Sequence, residues 1–123
     1  MILLNSGQKL NKLNFEQFQA MTGTKIAEQA TMPVEYENHQ AYLESLRKAF
    51  VKLGLTDEFL RGNEIAINPP SGSHAALCVL AEIFRITGKF PMIVRNRPNL
   101  YGLMLGSDIS EVIDLEQIIN QDN

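Results

Sequence analysis

A polar turn between two apolar runs contains the groups best suited to holding an anion. The turn consists of Asn68, Pro69, Pro70, Ser71, Gly72, Ser73 and His74. Its two prolines stiffen the exit from a predicted strand, and Ser71, Gly72 and Ser73 offer N–H groups and hydroxyls where a long apolar helix begins. The unpaired N–H groups and the positive end of the helix dipole favour a phosphate at this point. A simple capped helix, with Ser71 or Ser73 as N-cap, is the competing interpretation.

His74 and Ser73 are the candidate catalytic residues of this turn. His74 lies in the first helical turn, where an imidazole can donate to a phosphate or act as general acid or base near neutral pH. A solvated histidine with no chemical role is the alternative. The turn lacks the Gly-Lys-Ser/Thr of a nucleotide-binding P-loop and the Gly-x-Gly-x-x-Gly of dinucleotide-binding proteins.

Two further segments carry candidate ligand-binding residues. Asn5, Ser6 and Gly7 follow the first apolar run and offer an amide, a hydroxyl and a glycine backbone to a ribose or phosphate. Arg95 and Arg97 follow the fourth apolar run, and two guanidinium groups complement phosphate oxygens in bidentate geometry. An ordinary turn and a generic charged loop are the respective alternatives.

The elements that must position these residues alternate along the chain. Apolar runs predict strands at residues 2–4, 25–32, 65–67, 91–94 and 111–115. Spacing and capping residues predict helices that start at Asn14, Asn38, Thr56 and about Ser73, with a short closing helix at residues 115–120. Residues 96–106 are expected to form a loop or hairpin.

This alternation predicts a single α/β domain over residues 1–123, Rossmann-like, with a mostly parallel sheet of about five strands and helices on both faces. Ligands of such folds bind outside the carboxyl ends of the strands. That rule selects three loops, at residues 5–8, 68–74 and 95–98, and together they favour a phosphate-bearing ligand.

Composition excludes several classes of protein. Apolar residues make up 45% of the chain and charged residues 20%, with a net charge of −3, so a nonspecific DNA or RNA coat is not expected. The single Cys78 sits in an apolar run and is predicted to be a buried core residue. Two separated histidines form no metal constellation, and no cofactor is expected. The chain has no signal peptide and no apolar run of membrane-spanning length, so the expected location is the cytoplasm.

Nearly end to end, the chain resembles a small family of CRISPR-associated accessory proteins of type III systems, whose fold is related to the CARF domains that sense cyclic oligoadenylate. The resemblance rests on residues 2–6, residues 68–76, the stretch Gly-Lys-Phe-Pro-Met-Ile-Val-Arg at residues 88–95, and residues 111–115.

The resemblance implies that the chain binds cyclic tetra-adenylate and attenuates antiviral signalling. It implies either metal-independent cleavage of the ring through the ribose 2′-hydroxyl, as a ring nuclease, or sequestration of the intact ring. It also implies a homodimer or higher homo-oligomer, since a symmetric ring suits a two-fold interface. The alternative outside this family is a flavodoxin-like domain that binds a mononucleotide.

Overall fold

The computed structural model describes residues 1–6, 9–32, 41–70, 72–99 and 106–121. Within them the strands are β1 (Ile2–Asn5), β2 (Glu28–Thr31), β3 (Ile65–Asn68), β4 (Met92–Asn99) and β5 (Gly106–Asp114). The helices are α1 (Lys12–Thr22), α2 (Tyr42–Lys52), α3 (Asp57–Arg61), α4 (Ser73–Thr87) and α5 (Leu115–Ile119).

The five strands form one sheet in the order β2-β1-β3-β4-β5. The first four strands are parallel, and β5 pairs antiparallel with β4. The predicted α/β class with a mostly parallel five-stranded sheet is therefore confirmed. Because β2 and β3 lie on opposite sides of β1, the chain reverses direction across the sheet at the β1/β3 pair, which is a topological switch point.

Alternating side chains along the buried strands separate two apolar clusters, one on each face of the sheet. Ile2 and Leu4 of β1 pack with α2, α3 and α4, which contribute Leu46, Phe50, Leu60, Val79, Ile83 and Ile86 to the same cluster. Leu3 packs on the opposite face with Phe18 of α1. Helices thus cover both faces, as right-handed crossovers between parallel strands require.

The first helix begins three residues earlier than predicted. Asn11, not Asn14, is its N-cap: the Asn14 N–H donates to Asn11 Oδ1 at 2.9 Å, and the Asn11 N–H donates to Asn14 Oδ1 at 3.1 Å. This reciprocal pair is a capping box built from two asparagines. The predicted stop is confirmed, because Gly23 adopts φ 74° in the left-handed region. The predicted cap Asn38 lies outside the described residues.

The predicted loop at residues 95–98 is wrong, because β4 continues through Asn99 and pairs with β5 as a long hairpin. Ser110 is an extra residue on β5 between the partners of Arg95 and Asn96, and its hydroxyl donates to the Arg95 carbonyl at 3.0 Å. Ladder pairing to β5 keeps this backbone extended where the apolar run ends. Cys78 is half-buried instead of fully buried.

Candidate functional site

A row of hydrogen-bonded amide side chains crosses four strands of the sheet and passes the carboxyl ends of β1 and β3. Asn96 Nδ2 donates to Asn68 Oδ1 at 2.9 Å, and Asn68 Nδ2 donates to Asn5 Oδ1 at 2.9 Å. Asn5 Nδ2 then donates to Gln29 Oε1 at 3.0 Å. We call these four side chains the amide row. It links β4, β3, β1 and β2 in their spatial order.

Strand register places the amide row on the face of the sheet that α1 covers. Asn5 and Asn68 are direct partners in the β1/β3 pair. Each lies two residues after a member of the α1-side cluster, Leu3 and Ala66 respectively, so the pleat turns both amides to that face. Asn96 follows Val94 of the same cluster in the same way.

Gln29 anchors the far end of the amide row to the backbone of Leu10. The Leu10 N–H donates to Gln29 Oε1 at 3.0 Å, and Gln29 Nε2 donates to the Leu10 carbonyl at 3.3 Å. The segment that follows β1 is thereby tied to the edge strand β2.

Two buried oxygen atoms at this edge have no hydrogen-bond partner: Ser6 Oγ and Asn96 Oδ1. Ser6 is only 4% exposed, and its N–H donates to the Asn68 carbonyl at 2.9 Å, which holds it beside the amide row. Leaving a buried polar group unpaired costs about 1–3 kcal/mol. A bound ligand or an ordered water would satisfy such groups.

The N-terminus of α4 lies at the same edge, directly after β3. Its N-cap is Gly72, which makes no side-chain capping bond, and Ser73 is the first helical residue. The capped-helix interpretation with Ser73 as N-cap is therefore wrong. By contrast, the side chains of Asn11 and Thr56 cap α1 and α3. An anion is favoured at the first turn of α4, because the N-cap glycine has no side chain to accept from the first helical N–H groups.

The other predicted site residues lie around this edge in different settings. Ser73 and His74 are exposed, and Pro70 is buried against the protein. Gly7 and Ser71 lie outside the described residues. Asn5, Ser6, Asn68 and Gly72 are therefore the predicted ligand-binding residues that the fold brings together with the start of α4.

The two arginines lie on the face of the sheet opposite the amide row, since they alternate with Val94 and Asn96 along β4. Arg95 Nη1 contacts Glu111 Oε1 of β5 at 2.9 Å, and both side chains are exposed. Arg97 enters no ion pair within the described part of the chain. Of the two, Arg97 is the guanidinium that remains available to a ligand.

Sequence reasoning missed Asn96 and Gln29. Asn96 lies between Arg95 and Arg97, whose charged groups were selected as phosphate ligands in its place. A signal was present in the sequence. Asn5 and Asn68 each directly follow an apolar run, and Asn96 follows the apolar run at residues 91–94 with one residue between them. Gln29 carried no comparable signal, because only the pairing of β1 with β2 brings its side chain within reach of Asn5, diagonally across the two strands.

A separate charged cluster joins α2 to α4. The Glu82 carboxylate is 3% exposed, bonds to Arg85 on its own helix, and contacts Arg47 Nη2 of α2 at 3.1 Å. The hydrogen bond from Arg85, with a further one from Arg47, lowers the pKa of Glu82 despite its burial. Glu82 lies nine residues into α4 from Ser73, about 13 Å along the axis. This carboxylate is committed to helix packing and is remote from the edge.

A cavity of about 540 Å³ lies at the opposite, amino-terminal edge of the sheet. Its polar groups already serve the protein: Arg61 Nε donates to the Ile86 carbonyl at 3.0 Å, and Glu116 Oε1 accepts from the Phe90 N–H at 2.7 Å. The C-terminal ends of α3 and α4 also face this region, and their carbonyls disfavour an anion. For an anionic ligand the carboxyl edge is therefore the better site.

Other kinds of site receive no support from the described residues. They contain no group of three or more histidine, cysteine or acidic side chains arranged to hold a metal ion. In the same part of the chain, no helix has the length and apolar character needed to cross a bilayer.

The fold and the edge together define a Rossmann-like α/β protein with a pair of buried amides at its switch point. No protein-family model, no curated protein and no solved structure matches the chain.

Proposed function

We propose that the chain binds cyclic tetra-adenylate at the carboxyl edge of its sheet and attenuates type III CRISPR signalling in the cytoplasm by sequestering this messenger. The observation that carries the proposal is the convergence of the amide row, two unpartnered buried oxygens and the N-terminus of α4 at one switch point. In open α/β sheets the crevice at this position is where ligands bind.

The chemistry of the edge suits a phosphodiester ring. Phosphates need N–H donors, which the first turn of α4 offers, and riboses need neutral amide and hydroxyl partners. The exposed Arg97 adds one positive charge near the end of β4, on the face of the sheet opposite the amide row. An uncharged site of this kind also agrees with the net charge of −3, because binding does not rely on a broadly basic surface.

Sequestration is favoured over cleavage by the type of group that lines the site. Amides of Asn5, Asn68 and Asn96 orient a hydroxyl, but an amide oxygen takes no proton near neutral pH, so it cannot act as a general base. Ring cleavage stays as a second candidate function, because His74 is exposed in the first turn of α4, beside Ser73. There the imidazole would protonate the leaving oxygen.

A homodimer would double the donors around a ring that has its own rotational symmetry. The exposed apolar side chains of α4 support such an assembly: Leu77 is 64% exposed and Phe84 is 43% exposed on the helix whose N-terminus faces the ligand. A contact along α4 would bring two copies of the edge together.

A flavodoxin-like mononucleotide site is the alternative in a different class. It is favoured by strand order, because β2-β1-β3-β4 reproduces the first four positions of the flavodoxin-like sheet. The antiparallel β5 departs from that pattern.

One experiment tests these functions. Labelled cyclic tetra-adenylate is incubated in EDTA with excess protein, bound ring is measured by filter retention, and the ligand is recovered after denaturation for chromatography. Retention with intact ring supports sequestration. Linear di-adenylate with a cyclic phosphate supports the nuclease. Absence of retention, with flavin mononucleotide retained instead, would replace the proposal with the flavodoxin-like alternative.

A further inference from the structure

We infer that the carboxyl-edge site recognises ribose hydroxyl groups through two oxygen atoms, Asn96 Oδ1 and Ser6 Oγ. This inference rests on the function proposed above, and it adds the chemical group by which the site distinguishes a ribonucleotide ring from other phosphodiesters. The 2′-hydroxyl is the group by which proteins tell RNA from DNA.

The direction of the hydrogen bonds along the amide row, from donor to acceptor, leaves Asn96 Oδ1 as an acceptor. A backbone N–H is always a donor, so the Leu10 N–H requires an oxygen at Gln29 Oε1. The Leu10 carbonyl in turn requires the Gln29 NH2 group. With Gln29 fixed, Asn5 must present its NH2 group to Gln29 Oε1, and its oxygen then faces Asn68.

The same logic continues to the other end of the row. Asn68 must donate to Asn5 Oδ1, so Asn68 Oδ1 faces Asn96 and accepts from Asn96 Nδ2. Asn96 Oδ1 is left pointing away from the row, buried and without a donor. Since the orientation propagates from the backbone of Leu10, rotating the Asn96 amide alone would set two oxygen atoms against each other.

The missing partner of Asn96 Oδ1 must be a donor, which excludes a phosphate or carboxylate at that atom. A cationic amine is disfavoured by the positive end of α4, which begins at Ser73 at the same edge. A neutral hydroxyl meets both conditions. It also lies next to a phosphate in every ribonucleotide, so the phosphate can face the first turn of α4.

Ser6 Oγ is the second buried oxygen atom without a partner, and it lies on the other side of Asn68. Its hydroxyl can both donate and accept, so it can also pair with a ribose hydroxyl. Ser6 follows β1 and Asn96 belongs to β4, with β3 between them, so their backbones are two strand spacings apart, roughly 9–10 Å. One sugar does not span this distance, whereas successive riboses of an oligonucleotide do. Both oxygen atoms are buried.

The test compares cyclic tetra-adenylate with its all-2′-deoxy counterpart by calorimetry, for the wild-type chain, Ser6→Ala and Asn96→Ala. We expect the deoxy ring to bind the wild-type chain more weakly by roughly 2- to 10-fold for each lost hydroxyl contact. Ser6→Ala removes a hydroxyl that has no partner in the protein, so it should fold and should bind the two rings with a smaller difference. Ser110→Ala is the matched control, because that hydroxyl is bonded to the Arg95 carbonyl, and it should keep the full difference.

The possible results separate the inference from the function beneath it. Equal binding of both rings by the wild-type chain overturns the inference and leaves the proposed function standing. An undiminished preference for the ribose ring in both Ser6→Ala and Asn96→Ala also overturns it. Binding of neither ring overturns the proposed function itself. Cyclic tetra-inosinate, which lacks the adenine amine, is the last ligand in the comparison. If the wild-type chain binds this ring more weakly but binds the 2′-deoxy ring as well as the ribose ring, the donor belongs to the base. That result overturns the inference.

Discussion

Asn68 donates a hydrogen bond of 2.9 Å from its Nδ2 to Asn5 Oδ1, and the two residues are 63 positions apart in the chain and direct partners in the β1/β3 pair. Each closes a strand whose preceding residues are fully apolar and buried. The bond therefore ties together the two strands of the switch point at the place where an α/β sheet holds its ligand. The site and the fold share this contact, so its loss should affect both.

The amide row should contribute to stability unevenly. Asn68 lies inside the amide row and is bonded to Asn5 on one side and to Asn96 on the other. We therefore expect Asn68→Ala to lower the free energy of unfolding by about 3 kcal/mol. Asn96→Ala removes only the end of the row together with its own unpaired oxygen, so the loss should be about 1 kcal/mol. Urea unfolding followed by circular dichroism measures both. Equal losses in the two variants would contradict the unequal contributions expected from the inside and the end of the amide row.

Glu82 should make stability depend on pH in the acidic range. Its pKa in the folded chain is lowered below the ordinary glutamate value of 4.5, mainly by the hydrogen bond from Arg85 and further by Arg47. The stabilisation is therefore fully present above about pH 4.5 and is lost as the pH falls toward the folded-state pKa. Glu82→Gln should cost about 2 kcal/mol at pH 7 and much less at pH 3. The thermal unfolding midpoints of the wild-type chain and of Glu82→Gln, measured from pH 7 to pH 3, should converge at the acidic end of this range.

Ser73→Asp should change stability and ligand binding in opposite directions. A carboxylate at the first residue of α4 interacts favourably with the helix dipole, which should add about 0.5 kcal/mol of stability. The same charge would repel a phosphate there and weaken cyclic tetra-adenylate binding on the order of tenfold. Gln19→Glu, on the exposed side of α1, is the control for net charge and should leave binding unchanged. Unchanged binding by Ser73→Asp would place the phosphates away from α4.

The two arginines of β4 should differ in their effect on ligand binding. Arg95 is already paired with Glu111, so Arg95→Ala should change stability by less than about 1 kcal/mol and binding little. Arg97 has no such partner among the described residues, so Arg97→Ala should weaken ring binding roughly threefold or more at low salt and less at high salt. Calorimetric titration at two salt concentrations measures this difference. A larger effect of Arg95→Ala would mean that the ligand displaces Glu111.

Most of the fold follows from local patterns that single residues illustrate. Gly23 and Gly88 end α1 and α4 in the left-handed conformation that glycine adopts at low cost, as predicted. Thr56 caps the short α3 as predicted. The start of α1 was wrong by three residues, because Asn11 and Asn14 are both capping residues and only their reciprocal bond shows which one comes first.

The sequence by itself determined the α/β class, the alternation of elements and the edge at which Asn5, Ser6 and Asn68 would meet, because these depend on local apolar periodicity and on a general rule for parallel sheets. Only the tertiary structure decided that Asn96 completes the row, that Arg95 belongs to a hairpin strand facing the other way, and that Ser6 Oγ is buried without a partner. These features depend on strand register and on the bulge at Ser110. Register is set by pairing between distant segments, so no local pattern of residue types contains it.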